Sequence, residues 1–125
     1  MKLRLRGNSI RLRLSQTEVT ALTQGIDLMD STGLAPGKSL EFGICPRATD
    51  TVEISATTRG FFIVAPKDML IRWAESKDEG FEAHVAISAS ETTHVLVQKD
   101  FACLKPRGEE DHDTFTHPDA GTLKC

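Results

Sequence analysis

The 125-residue chain has no tyrosine and one tryptophan. A stacking platform for nucleic-acid bases would therefore have to come from phenylalanine. Phe42, Phe61, Phe62 and Phe81 all fall at core-like positions instead. No apolar run approaches the roughly 18 residues of a membrane helix, which excludes that class of anchor. The start of the chain is basic, but charges interrupt its apolar residues at every second position, so it is no signal-peptide h-region. Cysteine is scarce and odd in number: Cys45, Cys103 and Cys125. With no export signal, three reduced thiols and a cytoplasmic location are expected rather than a disulfide framework. GxSxG, P-loop and GxGxxG motifs are all absent. A net charge of −3 argues against general nucleic-acid binding, and no internal repeat is visible in the residues.

What the chain does have is an unusual start, MKLRLRGNSIRLRL. Leucine and isoleucine alternate with cations on both sides of Gly7-Asn8. A Gly-Asn pair between alternating runs is a hairpin signal, with glycine supplying positive φ. The pairing then predicted sets Leu5 against Ile10, Arg4 against Arg11, Leu3 against Leu12 and Lys2 against Arg13. Leu3, Leu5, Ile10, Leu12 and Leu14 would face the core, and the opposite face would be a block of cations. Like charges directly opposite on a ladder repel, so an anion is expected on that face.

Two short helices are predicted, at about 15–24 and 66–76. Ser15 opens a capping box with Glu18, and Gly25 stops that helix. Pro66 and Asp68 suit the start of the second, and Met69, Leu70, Trp73 and Ala74 share one face. Elsewhere alternation predicts strands at 39–45, 51–57, 81–88 and 93–99, with Phe101 and Cys103 continuing the last parity. A short strand is expected at 26–30 on Ile26 and Leu28. PRATD reads as a hairpin loop joining 39–45 to 51–57. FFIVA, apolar throughout, reads as a central strand. The fold class expected is α+β: a mostly antiparallel, curled sheet of seven or eight strands built from hairpins, with two helices. Residues 1–104 form one domain in this reading, and 105–125 an extended polar tail.

Four constellations bear on chemistry. Arg4, Arg6, Arg11 and Arg13 form a candidate anion site, because guanidinium presents a planar fork to carboxylate or phosphate. The competing reading is neutralisation by the chain's own acids. Glu41 and Glu53 are candidates, and the cluster Glu109, Glu110, Asp111 and Asp113 is the expected partner. Cys103, His112, His117 and Cys125 have zinc-ligand chemistry but no zinc-motif spacing, and no metal or cofactor is assigned. Cys45 with His84 or His94 could make a nucleophilic dyad. His84 alternates with core residues beside Glu82, however, which makes it a surface histidine. EEDHD lacks the spacing of a calcium loop.

RGNSIRLRL, GFEAH at 80–84, QKDFACL, EEDHDTF and HPDAG together resemble a small family of bacterial proteins of unknown function. The likeness spans most of the chain. It implies a stand-alone bacterial, cytosolic domain and transfers no activity, cofactor or catalytic residue. The function expected is a binding module for an anionic ligand or an acidic protein surface, with no catalytic residue assigned. One alternative is an enzyme whose arginines orient a phosphorylated or carboxylated substrate. Another is a structural subunit of a homo-oligomer.

Overall fold

The structure, a computed structural model, describes residues 1–101. Eight strands and two helices run in the order β1 (Lys2–Arg6), β2 (Ser9–Leu14), α1 (Gln16–Thr23), β3 (Leu28–Ala35), β4 (Lys38–Arg47), β5 (Glu53–Ala56), β6 (Gly60–Pro66), α2 (Lys67–Glu75), β7 (Gly80–Ala86) and β8 (Thr92–Lys99). They form two four-stranded sheets, ordered β1-β2-β8-β7 and β3-β4-β6-β5. Each sheet joins two antiparallel hairpins through a parallel central pair, β2 with β8 and β4 with β6. The class is α+β as expected, but the single curled, mostly antiparallel sheet is replaced by two mixed ones. The reason is topological. Hairpins join strands that follow one another in the chain, whereas each parallel seam joins strands with other elements between them.

Local signals act as the residues predict. Gly7 takes φ of +54° at the first turn, and the register is Lys2 with Arg13, Leu3 with Leu12, Arg4 with Arg11 and Leu5 with Ile10. Ser15 Oγ accepts from the Glu18 N–H at 3.2 Å, while Glu18 accepts from the Ser15 N–H at 2.9 Å. That capping box starts α1, and Gly25 at φ +83° ends it. Pro66, with φ of −60°, is the N-cap of α2 rather than a residue of its first turn.

One core serves both sheets and both helices. Leu12, Leu14, Val95 and Val97 from the first sheet meet Phe42, Ile44, Ile63 and Ala65 from the second. Val19 and Leu22 of α1 and Leu70 and Trp73 of α2 close it. Each fully buried aliphatic side chain contributes roughly 1.5–3 kcal/mol, so this layer dominates the stability. The Trp73 and Phe81 rings pack in a T shape with centroids 5.0 Å apart.

The fold is an internal repeat that the residues do not display. β1-β2-α1-β3-β4 and β5-β6-α2-β7-β8 have the same element order. Exchanging the two halves converts one sheet's strand order into the other's. Equivalent residues follow at constant separation: Leu12 with Ile63, Leu14 with Ala65, Val19 with Leu70 and Leu22 with Trp73, all buried. In the second hairpins Ile44 is equivalent to Val97, and Phe42 to Val95. Because each half contributes a hairpin to each sheet, neither half has a complete sheet of its own.

Other expectations are corrected. PRATD does not join a hairpin, because β4 and β5 flank β6 on opposite sides. FFIVA, apolar on both faces, takes the central place between them. Leu5 is 54% exposed, since β1 is an edge strand whose outer end runs past the core. Ile26, Ile87 and Phe101 are exposed for the same reason, lying beyond strand ends. β3 begins at Leu28 and runs on to Ala35, through an STG triplet that looks like a turn. Cys103 and the 105–125 tail lie outside the described residues.

Candidate functional site

Side chains alternate across a strand, so the buried residues fix which others face outward. Leu12 and Val97 face the core, which turns Arg11, Arg13, His94, Leu96 and Gln98 to the outer face of the first sheet. Half-buried Leu3 does the same for Lys2, Arg4 and Arg6 on β1, and Phe81 for Glu82 and His84 on β7. The register then arranges the outer face in rows across the four strands. Lys2, Arg13, Gln98 and Gly80 form one row; Arg4, Arg11, Leu96 and Glu82 the next; Arg6, Ser9, His94 and His84 the third.

All four arginines singled out in the sequence are therefore brought onto one rigid face. Arg4, Arg6, Ser9 and Arg11 surround a shallow cleft of about 210 Å³ that also includes Leu96. Arg4 and Arg11 stand directly opposite, and so do Lys2 and Arg13. Charge on this ladder is answered in part by Asp100. Its carboxylate accepts from Lys2 Nζ at 2.8 Å, and its N–H donates to the Leu14 carbonyl, also at 2.8 Å. The chain leaving β8 thus crosses the end of β2 and reaches the basic hairpin.

Glu41 and Glu53 do not neutralise this face. Both belong to the second sheet, where Glu41 pairs with Arg59 at 3.3 Å. Glu109, Glu110, Asp111 and Asp113 lie outside the described residues, as do His112, His117 and Cys125.

The sequence reading missed the other half of the face. His94 Nε2 lies 2.7 Å from Glu82 Oε2, and the His94 and His84 rings stack with centroids 4.9 Å apart. They are next to Ser9 and Arg6 only because β8 pairs with β2. No local signal announces that neighbour; a matched run of Ile10, Leu12 and Leu14 with Val95 and Val97 is the trace it leaves.

The Cys45 dyad is not formed. Cys45 sits in β4 of the second sheet, while both histidines lie on the outer face of the first. Burial pushes its thiol up, and the neighbouring Asp27 carboxylate adds to this, which disfavours the nucleophilic thiolate. Asp27 itself is held below the usual carboxylate range by hydrogen bonding to Arg47 at 2.6 Å. No group of three or more metal-ligating side chains occurs among the described residues. No helix there is long and apolar enough to cross a membrane.

A larger cleft, of about 770 Å³, opens beside the helices and is lined by Leu14, Val19, Thr23, Ala74, Lys99 and Phe101. Size alone would favour it as a site. Its lining mixes charges of both signs, Glu75 and Asp100 with Lys77 and Lys99. The arginine face gathers charge of one sign on a rigid ladder and is the better candidate.

A family model matches residues 1–119, and the chain belongs to that family, the family of unknown function DUF7009. No curated protein and no solved structure matches it.

Proposed function

We propose that this member of the family is a binding module whose partner is an acidic, carboxylate-rich protein segment laid along the outer face of the first sheet. The observation that carries the reading is the register. It holds Arg4 opposite Arg11 and Lys2 opposite Arg13 on one outward face, with Arg6 beside them. Guanidinium forks gathered on one rigid face suit charge-assisted, bidentate contacts with a strip of carboxylates. The shallowness of the cleft favours an extended partner over an enclosed small molecule, since small-molecule sites are usually deeper cavities of about 300–1,000 Å³. A reducing, cytoplasmic setting belongs to the reading and is supported by Cys45, a buried free thiol.

The enzyme alternative uses the same arginines. It is less well supported, because the described residues lining the cleft around Arg4 and Arg11 include no nucleophile or proton-transfer group stronger than the Ser9 hydroxyl. The test is calorimetric titration of the full chain with hexa-aspartate at pH 8.0, beside inorganic tripolyphosphate. Binding of the peptide that Arg4→Ala/Arg11→Ala weakens at least tenfold supports the reading. Tight binding of tripolyphosphate alone would transfer the face to a phosphorylated ligand, and binding of neither would end the anion hypothesis.

A further inference from the structure

We infer that β3, an open edge of the second sheet, is a self-association surface: it pairs antiparallel with β3 of a second copy of this chain, across a two-fold axis at Ser31. The contact lies on the second sheet and does not draw on the arginine face of the first.

The two sheets have four edge strands, β1, β3, β5 and β7. An open edge presents unpaired N–H and C=O groups, and charge or shortness is the usual guard against pairing with another chain. β1 carries Lys2, Arg4 and Arg6, and β5 has four residues. β7 holds Phe81 and Val85 against the core and carries Glu82 and His84 between them. β3 has neither guard. It is the longest of the four at eight residues, and Asp30 is its one charge. Met29, at the position that Glu82 holds in β7, is 62% exposed, and Leu34 is 69% exposed. Ile26, two residues before the strand, is exposed as well. Half of the six exposed large hydrophobic residues among the described ones thus gather along this edge.

The hydrogen bonding shows which backbone groups the edge presents. Glu41, opposite Ser31 on β4, sends its N–H away to the Arg59 carbonyl at 2.8 Å. The Ser31 N–H donates to Asp30 Oδ1, also at 2.8 Å. Residues of an antiparallel ladder alternate in which side they bond, so Met29, Ser31 and Gly33 turn their N–H and C=O groups to the open edge. The irregularity in the ladder falls after Gly33, beyond these three residues. A two-fold at Ser31 uses those groups. Ser31 then faces Ser31 of the second copy and Met29 faces Gly33, with about six hydrogen bonds in all. The space beside Gly33 is open, with nothing within 4 Å of where a side chain would begin, and takes the Met29 side chain. The same register sets Asp30 against Thr32 and Leu28 level with Leu34. Acids are kept apart and apolar side chains meet, each contact made twice, as an isologous interface requires. A two-fold at Asp30 would instead set the two carboxylates directly opposite.

Such an edge contact buries less than the roughly 800 Å² per partner of a permanent interface, so the dimer is reversible. The experiment is sedimentation velocity of the full chain from about 5 to about 500 μM, a range suited to a small interface. The mean sedimentation coefficient should climb from the monomer value towards that of a dimer. Met29→Lys puts a charge on the exposed edge, and Ser31→Pro removes an N–H that β4 does not use, a change edge strands tolerate. Each should raise the dimer dissociation constant at least about tenfold while thermal unfolding stays cooperative. Glu82→Lys, at the equivalent place on β7, should leave association unchanged. A wild type that stays monomeric at the highest concentration overturns the inference. A dimer that neither β3 variant weakens, or that Glu82→Lys weakens instead, overturns the assignment to this edge.

Discussion

Leu12 in the first half of the chain and Ile63 in the second occupy the same place in the repeat, and both are fully buried. One residue earlier, Arg11 stands where Phe62 does; one later, Arg13 stands where Val64 does. The same contrast runs across the sheets. Lys2 and Arg4 are matched by Glu53 and Ser55, His94 by Glu41, Gln98 by Cys45, Glu82 by Met29 and His84 by Ser31. Inward positions are held alike by the shared core, where a lost methylene costs stability. Outward positions carry no such constraint and have become different surfaces. Charge is concentrated on one, while the other holds Phe62, Val64 and Cys45. The chemistry specific to this protein is therefore sought on the first sheet's outer face.

The comparison can be broken most severely by cutting the chain between the halves. After a cut at Ala48, in the loop between β4 and β5, residues 1–48 and 49–125 should each lack cooperative unfolding and regain it when mixed. Each fragment leaves both sheets half-built, with the apolar faces of its hairpins lacking the partners that cover them. Circular dichroism of the separate and mixed fragments reads the outcome. A folded, monomeric 1–48 fragment would show that the interleaving of the sheets is not needed.

Next in size are the paired core positions. Leu12→Ala and Ile63→Ala should each cost about 2–5 kcal/mol in urea unfolding, the usual range for truncating a buried aliphatic side chain. A cost below about 1 kcal/mol at one site only would mean that the two halves share topology but not mechanical importance.

How much of this was legible depends on distance along the chain. The first hairpin's register could be read in full, because Gly7-Asn8 and the flanking alternation are local. So could both helices, from Ser15, Glu18, Gly25 and Trp73. The parallel seams could not. Nothing near Ile10 names Val95 as its neighbour, and loops such as PRATD imply adjacency where the chain in fact passes across β6. The repeat was hidden because equivalence preserves burial rather than residue type: Leu22 matches Trp73, and Glu18 matches Met69. The site was half legible for the same reason. Arg4, Arg6, Arg11 and Arg13 lie on one hairpin, whereas His94 and Glu82 join them only through β8.

A smaller effect should separate the two outer faces. Arg11→Ala should change stability by less than about 0.5 kcal/mol, as surface substitutions usually do, yet lower hexa-aspartate affinity. Phe62→Ala, its equivalent, should reverse that pattern: a loss of stability with affinity unchanged, because the Phe62 ring packs within 3.1 Å of where a Gly43 side chain would begin. The acidic tail enters here too. If Glu109, Glu110, Asp111 and Asp113 compete for the basic face, deleting 105–125 should strengthen hexa-aspartate binding, most at low salt, where screening is weakest. Unchanged affinity would remove the tail from consideration as the neutralising partner.

The finest contrast lies at the two helix starts. α1 begins on Ser15 with Glu18 closing the capping box, and Glu18 also accepts from the Met1 ammonium at 2.8 Å. In α2 the equivalent positions are Pro66 and Met69, and no side chain caps the helix. Only the first start is therefore secured by a carboxylate cap. Burial pushes the Glu18 carboxyl up, but hydrogen bonds from the Met1 ammonium and the Ser15 N–H outweigh it and hold the group below its ordinary 4.5. At a pH between the lowered value and 4.5 the unfolded chain binds a proton that the folded chain does not. The contribution of Glu18 is thus complete above pH 4.5 and is lost as pH falls through the lowered value. Glu18→Gln keeps a capping side chain without its charge, and should cost about 0.5–1 kcal/mol at neutral pH, the scale of a carboxylate at a helix N-terminus. That corresponds to a fall in Tm of a few degrees. Melting curves of wild type and Glu18→Gln at pH 7, 5 and 3 should show the gap steady from 7 to 5 and shrinking at 3. Met69→Leu, at the equivalent position, should show a difference from wild type that does not move with pH. A gap for Glu18→Gln that persists undiminished at pH 3 would mean that shape, not charge, secures the first helix, and the two starts would then differ less than their residues suggest.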